Sequence, residues 1–336
     1  MRRFLVPEPD GPVEPGEPPR FSVLIRTYQN ADTVTGAVDS ALGQTLEPFE
    51  VVVYDDGSTD GTAEVLRPYR DRIVYRRREN FGAAQAFNGG VETASGDFVV
   101  VLDADDVFEP RRLEALSELA TLRPDLDIVT TDAAWETDGR IVGRFNSEAN
   151  PFEVDNQRAA ILERCFIVAP GVRRSAVLGV GGQDTGLEVS ADWDCWIRMI
   201  LGGSKAGSVD EPLLVYRLRP GSVSSDRLVS FRHRVYMLEH LRTNRALRDD
   251  DLTALDAALA RHRRTLALAK ALDAAHRGDG DARKLALAVA RDREHGRKTR
   301  LKAAVLAAAP SSVRPRLVDR LGFPPRLARR QVGSSD

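Results

Sequence analysis

Asp103, Asp105 and Asp106 follow directly on the apolar run Phe98-Val-Val-Val-Leu102. Like charges this close repel unless a cation or hydrogen-bond donors offset them, and clustered carboxylate oxygens suit a hard divalent ion. The same acids, with Glu109 and Pro110 behind them, also suit the start of a helix over Arg111 to Leu122, so helix capping is the competing reading. A second strand end of this kind lies upstream. Phe49-Glu-Val-Val-Val-Tyr54 runs into Asp55 and Asp56, then into Gly57-Ser-Thr-Asp-Gly61 and a helix opening near Thr62. Ser58, Thr59 and Asp60 are ordinary turn and cap residues. Asp55 and Asp56, at the strand end itself, call for a function.

The elements that must position these acids follow from the same runs. An unbroken apolar stretch such as Phe98 to Leu102 is expected of a strand covered on both faces in a parallel sheet. Phe21 to Tyr28 reads as another strand, followed by Asn30, Asp32 and a helix over Val34 to Leu42. Ligands of open α/β sheets bind beyond the carboxyl ends of the strands. Three successive strands therefore present polar groups at one sheet edge. The predicted fold class is α/β, with a Rossmann-like, mostly parallel central sheet and helices on both faces.

Ser22-Val-Leu-Ile-Arg-Thr-Tyr-Gln-Asn30, Ser40-Ala-Leu-Gly-Gln-Thr45 and Val53-Tyr-Asp-Asp-Gly-Ser-Thr-Asp-Gly-Thr62 resemble the opening motifs of the family 2 glycosyltransferases, which have a GT-A fold. Asn80-Phe-Gly-Ala-Ala-Gln-Ala-Phe-Asn-Gly-Gly90, Ala94-Ser-Gly-Asp97 and Leu102-Asp-Ala-Asp-Asp106 continue the series in order. Ala191-Asp-Trp-Asp-Cys-Trp-Ile-Arg-Met199 is similar to the family's acidic catalytic helix, and Tyr216-Arg-Leu-Arg-Pro-Gly-Ser-Val-Ser-Ser225 to its closing motif. The resemblance implies that Tyr28 stacks on a nucleotide base and Asp56 accepts the base N–H. It places Thr27 and Asn80 in the same nucleotide-binding set and Asp103 near the ribose and diphosphate. It makes Asp105 the ligand of Mg²⁺ or Mn²⁺, and Asp192 the general base. Trp193 and Trp196 flank that base, either as acceptor wall or as core.

The implied chemistry explains these residue types. Breaking a sugar–diphosphate bond leaves negative charge on the departing nucleotide, which a cation stabilises as it develops. An acceptor hydroxyl attacking from the opposite face needs a carboxylate to take its proton. One carboxylate on each side gives direct displacement with inversion. UDP- or dTDP-sugars are the favoured donors, and the acceptor is a glycan, a lipid-linked sugar or a small molecule, as in cell-surface glycan synthesis.

Two departures stand out. The family often carries a metal-ligand histidine two residues after the Tyr-Arg pair, where this chain has Arg219, and all five histidines lie at or beyond His233. A guanidinium has no lone pair for a metal but matches a diphosphate bidentately, so Arg219 joins the nucleotide-binding set. Arg26 stands where the family often has proline, facing either phosphate or solvent.

Composition sets the frame. In 336 residues, 48 Lys and Arg against 50 Asp and Glu give a net charge of −2, without a global pull toward nucleic acid. Two cysteines, Cys165 and Cys195, form no disulfide framework and read as packing residues of a cytoplasmic enzyme. No signal peptide or membrane span is read, which argues against a polysaccharide synthase, as does the missing Gln-x-x-Arg-Trp motif. Residues 1–19 read as a disordered Pro-rich arm and 20–228 as the transferase domain, with a nucleotide-binding half (20–106) and an acceptor half (107–228). Within the latter, a strand is expected from Asp127, a hairpin at Asp138-Gly139, a strand over Cys165 to Val168, and a flexible loop over Gly179 to Gly186. Residues 229–296 read as a helical extension that offers an oligomer contact, broken at Gly278-Asp-Gly280. Residues 297–336 form a basic tail, with ten Lys or Arg from Arg297 to Arg330 against Asp319 alone. Such a tail suits either anionic lipid at the inner membrane face or a solvated helical end.

The alternative class is a non-catalytic protein that keeps the fold to bind a glycan or a partner. Asp56, Asp103, Asp105 and Asp192 weigh against it, and the missing histidine keeps it open. A nucleotidyltransferase would show a glycine-rich basic loop after its first strand, which Arg26 to Asp32 does not supply.

Overall fold

The computed structural model describes residues 3–146, 150–218, 227–242 and 247–320. The chain divides into two compact units, Met1–Leu218 with Ala246–Asp251 and Arg219–Arg245 with Leu252–Asp336.

Its strands are β1 (Phe4–Leu5), β2 (Phe21–Thr27), β3 (Glu50–Asp55), β4 (Val74–Arg77), β5 (Phe98–Asp103), β6 (Val107–Phe108), β7 (Ile128–Thr137), β8 (Arg140–Arg144), β9 (Gly171–Arg173) and β10 (Ala206–Arg217). Its helices are α1 (Val34–Leu42), α2 (Thr62–Val65), α3 (Ala83–Thr93), α4 (Arg112–Leu122), α5 (Gln157–Glu163), α6 (Arg174–Gly179) and α7 (Ala191–Leu201). The sheet runs β1-β10-β7-β9-β5-β2-β3-β4. β5, β2, β3 and β4 are parallel, as are β7 and β10, while β9 is inserted antiparallel between β5 and β7. The chain leaves β2 toward β3 on one side and returns as β5 on the other. That reversal opens a crevice at the carboxyl ends of β2 and β5.

The apolar runs become fully covered strands because helices pack on both faces. Val23, Ile25, Val53, Val100 and Leu102 share a core with Val38 of α1 and Leu113, Leu116 and Leu119 of α4. Each leucine buried there contributes about 2 kcal/mol relative to exposure. On the other face α3 lies unusually close to the sheet. A Cβ on Gly90 would come within 2.2 Å of Leu24, and one on Gly89 within 2.4 Å of the Tyr54 hydroxyl. Only glycine permits that approach.

Three expectations change. Residues 3–19 of the arm expected to be disordered are anchored: β1 pairs with β10, Phe4 and Val6 pack on the core, and Gly16 N–H donates to Thr121 O (2.8 Å). A short apolar start next to an open sheet edge outweighs the Pro-rich composition that follows it. Cys165 to Val168 is no strand. It is a buried irregular segment whose backbone polarity is met by side chains, with Thr130 Oγ1 donating to Val168 O (2.6 Å) and Arg112 Nη2 to Ala169 O (2.6 Å). The antiparallel strand lies just beyond it, as β9. The loop before α7 is tied down, because Asn88 of α3 exchanges two hydrogen bonds with the backbone of Gln183 (both 2.8 Å). The hairpin at Asp138-Gly139 forms as expected, both residues having positive φ (49° and 74°) between β7 and β8.

The second unit contains helices α8 (Arg227–Leu241), α9 (Asp249–His276), α10 (Ala282–Arg291), α11 (Arg297–Ala308) and α12 (Arg314–Arg320), the first residues of α9 belonging to the first unit. Alanines at 274, 275, 282, 286 and 307 pack with Leu306 and Val318, small side chains allowing close helix approach. Gly278, at φ 69°, ends α9 where the break was read. No helix among the described residues is long and apolar enough to cross a membrane. The basic tail is described through Arg320, as α11 and α12, and its remainder lies outside the described residues.

Candidate active site

The parallel ladder fixes the site. Arg26 of β2 lies in register with Asp103 of β5, and Thr27 with Asp55 of β3. Every residue just past these pairs emerges at the same edge, which is why Tyr28, Asp56 and Asp105 share a neighbourhood despite their separation in sequence.

The end of β3 is held by hydrogen bonds. Asp55 is fully buried and accepts from Ser58 N–H (2.8 Å) and the Tyr75 hydroxyl (2.5 Å), with the Arg77 guanidinium 3.8 Å away. It organises the loop rather than lining a site. Asp56 is buried as well and accepts from the N–H groups of Phe81 (3.0 Å) and Gly82 (2.9 Å). Its own N–H donates to Thr27 O (2.9 Å), locking β3 to β2. Asp56 also lines a cavity of about 210 Å³ with Tyr54, Arg77, Phe81 and Gln85. Asn80 is exposed and its Oδ1 accepts from Gly82 N–H (3.2 Å). Tyr28 is 47 % exposed, a ring with an open face, whereas the Thr27 hydroxyl is buried without a partner. Gln29, which the sequence did not single out, holds this turn at φ 55°, and its amide pairs with Thr59 N–H (2.8 Å) and the Thr59 hydroxyl (3.1 Å). A non-glycine residue in the left-handed region is a local cost met by those bonds.

The end of β5 is organised by charge. Arg26 donates to the Asp103 carboxylate, so it faces neither solvent nor open phosphate. Burial works against its charge, yet Asp103, Asp192 and Asp105 together hold the guanidinium above its ordinary pKa. Asp106 is buried beneath them and accepts from Arg217 N–H (2.9 Å), which ties the acidic loop to the end of β10. Burial, then the fields of Asp103 and Asp105, push its carboxyl well up. Arg112, fully buried, lies 4.7 Å over the Phe108 ring and donates to Thr131; burial lowers its pKa to about 9. Asp105 is half-buried at the same edge.

Asp192 lies in the first turn of α7 and is exposed, while Trp193, Asp194, Cys195 and Trp196 around it are buried. Both tryptophans are core: Trp193 Nε1 donates to Ile161 O (2.7 Å), and Trp196 meets Phe87 edge-on at 6.0 Å. Burial pushes the Cys195 thiol up to about 12, consistent with a packing role. Asp194 pairs with Arg198, one turn on (2.7 Å), and Arg198 also donates to Val180 O (2.5 Å) and Gly182 O (2.6 Å). The i, i+4 spacing made that pair legible, but not its clamp on the preceding loop. The structure thus brings Asp103, Asp105 and Asp192 around Arg26, with Tyr28 and Asp56 on the neighbouring strand ends. Arg219 lies outside the described residues.

The donor set can be tested for a divalent cation. Among the described residues no three His, Cys, Asp or Glu side chains converge as a ready-made cage. Asp103 and Asp105 are hard oxygen donors at the open edge, and Mg²⁺-type sites are commonly completed by substrate phosphate and water. The residues fit a cation that shares its shell with a bound diphosphate.

Residues 22–176 match the family described as glycosyl transferase family 2. The unit that carries this site belongs to that family. The putative teichuronic acid biosynthesis glycosyltransferase TuaG of Bacillus subtilis (strain 168) is 28 % identical over 214 residues, covering 62 % of this chain and 83 % of its own. Among solved structures, the mannosyltransferase PcManGT from Pyrobaculum calidifontis, in complex with GDP-Man and Mn²⁺, is 22 % identical with a TM-score of 0.58, over 93 % of this chain and 88 % of that one. S. aureus TarS 1-349 in complex with UDP-GlcNAc is 18 % identical with a TM-score of 0.53, over 90 % and 88 %. These two likenesses show the GT-A fold, and the family 2 glycosyltransferase match lies in the unit that carries the site, over residues 22–176.

Proposed function

We propose that this glycosyltransferase moves a sugar from a UDP- or dTDP-sugar to an acceptor hydroxyl with inversion, in the synthesis of a cell-surface glycan or glycoconjugate. The observation behind the reading is the convergence of Asp103, Asp105 and Asp192 on Arg26 at the carboxyl ends of β2 and β5. Tyr28 offers its open ring to the base, and Asp56 presents a carboxylate already fixed by two N–H donors. Thr27 and Asn80 complete the nucleotide side. Asp105 holds a divalent cation, Mg²⁺ or Mn²⁺, which when bound supplies Lewis-acid stabilisation of the leaving diphosphate. Asp192, exposed at the start of α7, takes the proton of the attacking hydroxyl. Its position on a helix otherwise buried gives the base a fixed location without desolvating it. The TarS and PcManGT structures hold UDP-GlcNAc and GDP-Man with Mn²⁺, which supports the class of donor and cation. The basic residues of α11 and the tail offer contact with anionic lipid if the acceptor is lipid-linked.

Calorimetric titration of UDP, dTDP, GDP and CDP, each with Mn²⁺, Mg²⁺ or EDTA, tests this. The expected result is binding of UDP or dTDP that requires the cation and weakens at least about tenfold in Asp105→Asn, the scale of one lost charge interaction. Folded wild-type protein that binds no nucleotide would favour the non-catalytic reading instead.

A further inference from the structure

Arg26 occupies an unusual position for a cation. It reaches from β2 onto Asp103, its side chain only 17 % exposed and that of Asp103 45 % exposed. Its Nε is buried with no hydrogen-bond partner. The carboxylates of Asp105 and Asp192 act on it as well. The Arg26–Asp103 ion pair thus lies within a wider acidic field.

Building on the transferase reading above, we propose that Arg26 is a resident cation of the donor site. It holds Asp103 until a nucleotide diphosphate arrives, so that the divalent cation binds with the nucleotide and not before it. A divalent ion arriving alone would have to pull Asp103 from a charge-assisted bond and leave a largely buried guanidinium unpaired, which is strongly unfavourable. A diphosphate removes that obstacle. It offers the guanidinium a replacement acceptor of matching fork geometry, with the unpartnered Nε as a second donor. Arg26 then passes from Asp103 to phosphate, and Asp103 joins Asp105 in ligating the cation. A neutral residue at position 26 would leave Asp103 available from the outset.

The test is Mn²⁺ titration followed by electron paramagnetic resonance of the unbound ion, with and without UDP or dTDP, on wild type, Arg26→Gln, Arg26→Lys and Asp103→Asn, each checked by circular dichroism. Wild type should bind Mn²⁺ weakly alone and at least about tenfold more tightly with nucleotide. Arg26→Gln should bind Mn²⁺ alone at least about tenfold more tightly than wild type, with a smaller gain on adding nucleotide. Arg26→Lys, which keeps the charge, should stay near wild type without nucleotide. Asp103→Asn should weaken Mn²⁺ binding more with nucleotide present than without it, because only with nucleotide does Asp103 ligate the ion. Arg26→Gln with Mn²⁺ affinity equal to or below wild type overturns the proposal. If that variant does not fold, a loss of Mn²⁺ affinity in Asp103→Asn that is as large without nucleotide as with it overturns the proposal instead. The nucleotide-free arm stands apart from the function reading, which fails separately if wild type binds no nucleotide.

Discussion

At the end of β3, Asp55 and Asp56 receive Ser58 N–H, the Tyr75 hydroxyl, Phe81 N–H and Gly82 N–H. At the end of β5, Asp103 faces one guanidinium, Asp106 accepts a single backbone N–H, and Asp105 stands beside both in the same negative field. The two ends have nearly the same residue types. Hydrogen-bond donors answer the first, so its carboxylates are fixed and stable. At the second, an ion pair to Arg26 and one backbone N–H face Asp103 and Asp106, and burial with neighbouring charge raises Asp106. The neighbouring Asp60 follows the β3 pattern: burial would raise it, but bonds from Thr62 and the Ala31 N–H hold it below the usual carboxylate range. Asp106 follows the β5 pattern and is raised. A cluster of acids is thus not a site by itself. What decides is whether the protein's own donors already satisfy it.

The largest effect that sharpens this contrast lies opposite β5. Asp192→Asn keeps shape and hydrogen-bonding capacity but removes the base. Sugar transfer should fall roughly 10³-fold in kcat, about 4 kcal/mol, with nucleotide affinity and thermal midpoint unchanged because the side chain is solvent-exposed. A rate within a few-fold of wild type would mean that another group takes the proton.

At β3 the damage should fall on the fold instead. Asp55→Ala leaves the Tyr75 hydroxyl and Ser58 N–H without an acceptor, beside the Arg77 guanidinium. The expected loss is about 3 kcal/mol of stability, or roughly 10 °C in the melting midpoint. An unchanged midpoint with lost nucleotide binding would erase the distinction between the two strand ends.

Much of this was legible in the sequence, for a physical reason. An apolar run ending in Asp reads as a covered strand meeting solvent, and β2, β3 and β5 end within a residue of where the runs do. The α1 helix spans Val34–Leu42, as its spacing indicates, and Asp103, Asp105 and Asp192 share a neighbourhood as the motif order implies. What could not be read depends on partners distant in the chain. Asp55 and Asp56 are the same residue type side by side, and Tyr75, twenty positions away, makes one of them structural. Arg26 reads as a solvated or phosphate-facing cation until the β2–β5 register sets it against Asp103. The Cys165 to Val168 run looks like a strand because burial and strand pairing leave the same apolar signature, yet side chains of β7 and α4 satisfy the backbone at its end.

The smallest effect tests the hydrogen-bonded strand end from its outer partner. Tyr75→Phe removes one hydroxyl donor to a buried carboxylate and should cost about 1.5 kcal/mol near neutral pH. Its pH dependence separates this bond from simple packing. Burial first, and then the Asp55 carboxylate, push the Tyr75 phenol well above its ordinary value of 10.0. A raised folded-state pKa means that the unfolded chain loses its phenolic proton first. The contribution of the tyrosine is therefore fully present below pH ~10 and is lost as pH climbs from there toward the folded-state value. Urea melts of wild type should weaken between pH 9 and pH 11 more than those of Tyr75→Phe, so that the two stabilities converge. Parallel curves across that range would show that the ring matters and its hydroxyl does not, and the strand end would then rest on Ser58 N–H and Arg77.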